Sequence, residues 1–277
     1  MQMKCAWKEL LAVLPSRLRG EVDRHGAADL WEIRIRLDRP TELVGSRGSV
    51  WLSDRTVAEE IKFVINTASR YSPWAAQTVS RGYITAPGGH RIGLGGELAV
   101  HDGRVTGLRE PTSLCIRVAH DVTGIGKPFG NLHGSVLIIG PPGSGKTTLL
   151  RDLCREISKR ETVAVVDERG ELFPAGYDRG RALDVLALCP KPAGIDMSLR
   201  TLGPTVIAVD EITGEEDAQS LLRAGWCGVR LVATAHASSL EDLKKRPIYR
   251  SIWDNHLFEH LLICRRDKSR GVERMDL

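Results

Sequence analysis

The run Val136-Leu137-Ile138-Ile139-Gly140-Pro141-Pro142-Gly143-Ser144-Gly145-Lys146-Thr147-Thr148 decides how the rest of the chain is read. Four apolar residues without polar alternation predict a short strand buried on both faces. Residues 140–147 then satisfy the pattern G-x-x-x-x-G-K-[ST] in full. The glycines let the backbone curl until successive N–H groups point into one concavity, which suits phosphate. A helix is predicted from about residue 146 to 159, with Leu149, Leu150, Leu153 and Ile157 turned inward. Its N-terminus adds partial positive charge to the same concavity. In this pattern Lys146 reaches the β- and γ-phosphate oxygens and the Thr147 hydroxyl ligates Mg²⁺. Gly140, Pro141, Pro142, Gly143, Ser144, Gly145 and Thr148 complete the predicted nucleotide-binding wall.

Downstream, apolar strands alternate with helical stretches. Strands are predicted at 162–166, 205–209, 231–234 and 257–264, with a helix through Ala218, Leu221 and Leu222 that stops near Gly225. That rhythm predicts an α/β domain with a parallel sheet covered on both faces, whose ligands bind at the carboxyl ends of the strands. The informative polar residues stand there. Val206-Ile207-Ala208-Val209 runs into Asp210-Glu211. Asp210 is placed to hold Mg²⁺ through water, and Glu211 to orient and polarise the attacking water. Val165-Val166-Asp167-Glu168-Arg169 repeats the arrangement one strand earlier. Two readings stay open for it: a second acidic contributor to the metal and water site, with Glu168 a rival to Glu211, or a plain surface cluster. Ala233-Thr234-Ala235-His236 ends another strand. His236 is expected to touch the γ-phosphate and report hydrolysis; the alternative is a histidine with local hydrogen bonds only. A guanine-reading Asn-Lys-x-Asp motif is absent, which favours ATP.

The chain ahead of this domain has a different texture. Ile33, Ile35 and Leu37 alternate with Arg34 and Arg36, a half-buried strand. Residues 57–70 read as a helix with Ile61, Val64, Ile65 and Ala68 on one side, and Leu114, Ile116 and Val118 alternate in another strand. Asp102-Gly103 between alternating stretches predicts a tight hairpin turn. Trp7, Leu10, Leu11 and Leu14 share one helical face, read as a helix docked on its own domain, with an interfacial membrane helix as the alternative. Residues 123–134 hold four glycines and a proline, a linker. The expected division is an α+β domain over 1–125 and the P-loop domain over 126–277.

Composition narrows the function classes. With 277 residues, 42% hydrophobic and 27% charged, the chain matches an ordinary globular protein and excludes wholesale disorder or a membrane-embedded bundle. Net charge is +4. The first 130 residues carry 18 basic and 14 acidic side chains, so the excess lies there. Six scattered cysteines without a Cys-x-x-Cys pair indicate neither a zinc cluster nor a disulfide framework, and suit a reducing cytosol. No stretch is long enough to span a bilayer.

The motifs together resemble a family. GPPGSGKTTLLRDLCR (140–155), VVDERGEL (165–172), the stretch 184–225 from DVLALCPKP to SLLRAG, and VATAHASS (232–239) resemble stage III sporulation protein AA. The resemblance continues upstream in GYITAPGGHRIGLGGE (82–97) and SLCIRVAH (113–120). That family is similar to the hexameric ATPases of type II and type IV secretion systems. The resemblance implies a RecA-like ATPase domain behind an α+β N-terminal domain, using ATP and Mg²⁺ in a homo-oligomeric ring. It implies membrane-protein partners in a sporulation channel, the mother-cell cytoplasm, and no nucleic-acid partner. By that similarity Asp210-Glu211 form the Walker B pair, Asp167-Glu168 the acidic box and His236 the histidine box. An arginine of the N-terminal domain would complete a neighbour's site; Arg91 is the candidate, with Arg81 and Arg109 as rivals and a plain salt bridge as the alternative for Arg91. Such proteins carry an arginine soon after the Walker B acids, whereas this chain reads Thr213-Gly214-Glu215-Glu216-Asp217. Trp226-Cys227 stands where small polar residues are expected, and Trp226 is read as packing on a neighbouring domain. Two other classes remain: a RecA-like ATPase acting on nucleic acid, which at 5% aromatic residues has few stacking platforms, and a non-hydrolysing ATP-binding regulatory module.

Overall fold

The computed structural model describes residues 2–27, 29–45, 47–69, 82–102, 104–174 and 177–275. They form two compact units. One holds Met3 to Asp121 together with Pro174 and Tyr177; the other holds Gln2, Val122 to Phe173 and the chain from Asp178 onward.

In the first unit six strands make an antiparallel sheet in the order Gly48–Arg55, Pro40–Gly45, Glu32–Arg36, Arg104–Arg117, Arg91–His101, Tyr83–Thr85. Ile33 and Ile35 face the core while Arg34 and Arg36 face out, as the alternation predicts. The helix predicted over 57–70 is Ala58–Ala68, burying Ile61, Val64 and Ala68. Leu10 and Leu14 join this core, with Trp7 and Leu11 packed against it. The helix they belong to runs only over Trp7–Ala12, and a second helix, Ser16–His25, follows Pro15 and buries Leu18 and Val22. The hairpin turn falls as expected, with His101 paired to Arg104 and Asp102 in the left-handed region at φ 49°; Gly103 lies outside the described residues.

The second unit is built on a seven-stranded sheet ordered Leu183–Ala187, Val163–Asp167, Val206–Val209, Arg230–Ala235, Val136–Ile139, His260–Cys264, Arg270–Arg274. All neighbours are parallel except the last pair. The absence of alternation in the inner strands now has its cause, because each strand feeds two cores. Val136, Ile138, Val206 and Ala208 pack with Leu149, Leu150 and Leu153 of the helix Lys146–Ile157. Leu137, Ile139, Ile207 and Val209 pack on the opposite face with Ile195 of the helix Lys191–Thr201 and Leu221 of the helix Glu215–Trp226. The two edge strands and the helix Lys191–Thr201 are additions to the sequence reading. Leu183–Ala187 is only half-buried and Arg270–Arg274 mostly exposed, so neither carries the apolar run that marked the inner strands.

Candidate nucleotide site

The strand Val136–Ile139 is wholly buried and delivers the chain into the loop 140–145 at the carboxyl edge of the sheet. Two positions in the loop demand glycine. A Cβ on Gly140 would stand 2.3 Å from the Cys264 carbonyl oxygen, so a neighbouring strand excludes any side chain there. Gly145 precedes the helix Lys146–Ile157 with φ at 96°, a turn that aims the free amides of the first helical turn into the loop. Thr147 and Thr148 lie half-buried in that first turn. Among the described residues the buried Ser144 hydroxyl has no hydrogen-bond partner, an orphan that an incoming oxygen would satisfy.

Lys146 is buried, and its ammonium donates to the carbonyls of Gly140 at 2.9 Å and Pro141 at 3.1 Å. It also meets His236 Nδ1 at 3.2 Å. An ammonium has no acceptor, so Nδ1 accepts and the proton of the neutral ring sits on Nε2. That nitrogen faces Glu211 Oε1 at 3.1 Å, and the other carboxylate oxygen of Glu211 meets Arg169 Nη1 at 3.2 Å. A continuous polar chain therefore runs Lys146, His236, Glu211, Arg169. Burial pushes the Lys146 ammonium below its ordinary pKa, opposed by the charges of Asp210 and Glu211.

Thr234 is the hinge pin of the acidic end. Its hydroxyl donates to Asp210 Oδ1 at 2.6 Å and accepts from the Glu211 amide at 2.7 Å, while its carbonyl accepts from the Ile212 amide at 2.9 Å. These bonds hold Glu211 at φ 53°, a left-handed conformation rare for a glutamate and typical of over-determined functional positions.

Asp167 and Glu168 line a cleft together with Arg169, Glu171, Lys191, Asp210 and Glu211, so the two acid pairs meet at one edge. Their partners differ. Asp167 is only 2% exposed, and its carboxylate accepts from the amides of Glu171 (3.0 Å), Leu172 (2.8 Å) and Phe173 (3.4 Å). Burial raises its pKa against the pull of those amides. Glu168 pairs at 2.7 Å with Lys191, which is buried and also meets Asp217 at 3.2 Å.

The structure thus gathers Lys146, Asp210, Glu211, His236 and the Asp167-Glu168 pair in one unit. Arg91 and Arg109 belong to the other unit. Arg91 stacks over Tyr83 at 4.3 Å and Arg109 pairs with Glu97 at 2.9 Å; Arg81 lies outside the described residues. Trp226 is 71% exposed. Sequence reading missed Thr234, Arg169 and Lys191. It also missed Lys268, whose ammonium donates to the Gly143 carbonyl of the loop. The one available signal for Arg169 was its place directly after an acid pair.

A mostly parallel sheet with a P-loop after an inner strand, a histidine after the adjacent strand and acid pairs after the next two defines a RecA-like ATPase fold. Two solved structures share it: the Legionella pneumophila ATPase DotB (TM-score 0.62, 18% identity, 94% of this chain and 80% of that one) and the pilus retraction motor PilT with bound ADP (TM-score 0.65, 14% identity, 92% and 80%). The chain belongs to the family described as Sporulation stage III, protein AA, whose family model matches residues 5–274. It is 37% identical over 286 residues to stage III sporulation protein AA of Bacillus subtilis (strain 168), covering 95% of this chain and 92% of that protein. Among the described residues no helix is long and apolar enough to cross a membrane.

Proposed function

We propose that the protein is a Mg²⁺-dependent ATP hydrolase of the secretion-motor kind, working as a homo-oligomeric ring, a hexamer, on membrane components of a sporulation channel. The observation that carries this reading is the chain from Lys146 through His236 to Glu211, because it links the residue that binds phosphate to the residue that would activate water. The residues fit the nucleotide and its ion. The orphaned Ser144 hydroxyl and the amides of the loop suit phosphate oxygens. Thr147 and Asp210 supply the hydroxyl and carboxylate that Mg²⁺ takes when phosphates and water fill its other positions. When bound, the ion draws negative charge off the phosphate oxygens.

Lys146 would move from carbonyl partners to phosphate, and its loss from Nδ1 would leave His236 free to signal that the site is filled. Glu211 would orient the attacking water, with a neighbouring subunit's Arg91 supplying further positive charge. This assigns Glu168, held by Lys191, a supporting place. The test is Glu211→Gln in the full chain. It should bind MgATP with an affinity near that of the wild type by calorimetry while turnover falls by about 10²-fold or more. Wild-type turnover in that variant would overturn the assignment. Turnover per subunit should also rise with protein concentration as the ring assembles, and chelating Mg²⁺ should abolish it.

A further inference from the structure

The ATPase reading needs Glu211 to present one carboxylate oxygen to water, yet both are engaged: Oε1 by His236 and Oε2 by Arg169. The two contacts differ in what sustains them. His236 is held through Lys146, and any phosphate that recruits Lys146 removes that hold. Arg169 is held by its own loop, which owes nothing to Lys146. The Gly170 amide donates to the Asp167 carbonyl at 3.2 Å, and Gly170 adopts φ 67° to close the turn. The Leu188 amide also donates to the Asp167 carbonyl, at 2.9 Å, and the Asp167 carboxylate gathers the amides of residues 171–173. Arg169 is thus presented by a turn fastened on both sides. The strands that deliver the two residues are neighbours in register, with Val166 opposite Val209. The segment Thr213 to Asp217 offers no arginine; the Thr213 amide and hydroxyl are bonded to Asp217, and Lys191 reaches both side chains.

We propose that Arg169 is the positioning residue for Glu211: its guanidinium keeps Oε2 fixed while Oε1 turns to water once His236 lets go. The inference rests on the ATPase reading above. It also gives the buried carboxylate of Asp167 a purpose, since that group fastens the loop that carries Arg169. The pair is partly exposed, with the Arg169 side chain 53% accessible, so its contribution lies in fixing orientation rather than in a strong attraction. A planar guanidinium with several fixed donors suits that task better than an ammonium.

The experiment compares Arg169→Ala and Arg169→Lys with the wild type, all as full chains at a concentration where the wild type is assembled. Arg169→Ala should lower kcat by about tenfold or more, with KM and the calorimetric affinity for MgATP unchanged within about threefold. Arg169→Lys should recover part of kcat. A second readout needs no turnover: MgADP with aluminium fluoride, a mimic of the phosphoryl group in flight, should bind more weakly to Arg169→Ala, whereas Arg169→Ala should add no further weakening in a Glu211→Gln background. Wild-type or faster turnover in Arg169→Ala, a change in KM alone, or equal weakening of the fluoride complex with and without Glu211 would overturn the assignment. Such a result beside normal wild-type hydrolysis leaves the ATPase reading standing; a wild type without hydrolysis overturns both.

Discussion

Val165-Val166-Asp167-Glu168 and Ala208-Val209-Asp210-Glu211 are near copies at the ends of adjacent parallel strands, yet their acids do different work. Asp167 turns into the protein and closes on three amides of its own loop. Asp210 keeps a hydroxyl partner, Thr234, and remains beside the P-loop lysine, whose protonation it supports. Glu168 is tied to a buried lysine, while Glu211 is tied to a histidine that itself touches Lys146. The difference is not in the acids. It arises because the chain after Glu168 bends at Gly170 and returns its amides to Asp167, whereas the chain after Glu211 runs on against the neighbouring strand at Thr234. An acid pair after a strand is therefore an address at the sheet edge, and the next few residues decide its chemistry.

The largest break in that comparison should come from exchanging the glutamates one at a time. Glu211→Gln should cost about 10²- to 10⁴-fold in turnover, the range of a lost general base or water-orienting group. Glu168→Gln should cost a few fold at most. A reversed order, measured under saturating MgATP, would transfer the water-orienting role to Glu168.

Thr234→Val comes next. It retains the shape of the side chain and deletes the hydroxyl that joins Asp210 to the Glu211 backbone. One half-buried charged acceptor and one amide lose their partner, a cost of about 1–3 kcal/mol in stability. Turnover should fall about tenfold or more through misplacement of Glu211. Denaturant unfolding and steady-state kinetics on the same sample separate the two effects; full turnover would show that the left-handed glutamate does not depend on this hydroxyl.

How much of this was legible beforehand follows from burial. An inner parallel strand must be apolar on both faces, so Val136–Ile139 and Val206–Val209 announced themselves and brought their terminal residues with them. Edge strands have no such requirement, and Leu183–Ala187 and Arg270–Arg274 carry charged residues that hid them. The P-loop was legible because its glycines answer a local backbone demand. Arg169, Lys191 and Thr234 were not, because their partners come from other strands and helices, and strand order is absent from a local pattern. The first helix was placed correctly but drawn too long, since Leu14 enters the core from beyond its end at Ala12.

Asp167→Ala should act mainly on folding. Removing its carboxylate leaves the amides of Glu171, Leu172 and Phe173 without that acceptor, for a loss of about 1–3 kcal/mol. Turnover per folded molecule should drop less than in Thr234→Val, because the effect reaches Glu211 only through the loop that presents Arg169. A loss as large as that of Glu211→Gln, in protein shown to be folded, would place Asp167 among the reacting groups.

The smallest effect belongs to Glu168→Gln in the unfolding equilibrium. Glu168 is half-exposed, and an ion pair with one exposed partner contributes about 0–1 kcal/mol. Lys191 is the costly member, being buried, but it keeps Asp217 and the Thr213 hydroxyl when Glu168 is neutralised. The glutamine carbonyl can still accept from the ammonium. Unfolding in urea should therefore give a midpoint close to that of the wild type. A shift equivalent to about 3 kcal/mol, the size expected when a buried charge is stranded, would mean that Asp217 cannot hold Lys191 alone. The outer acid pair would then be one structural unit built around the lysine, and its likeness to Asp210-Glu211 would end at the sequence.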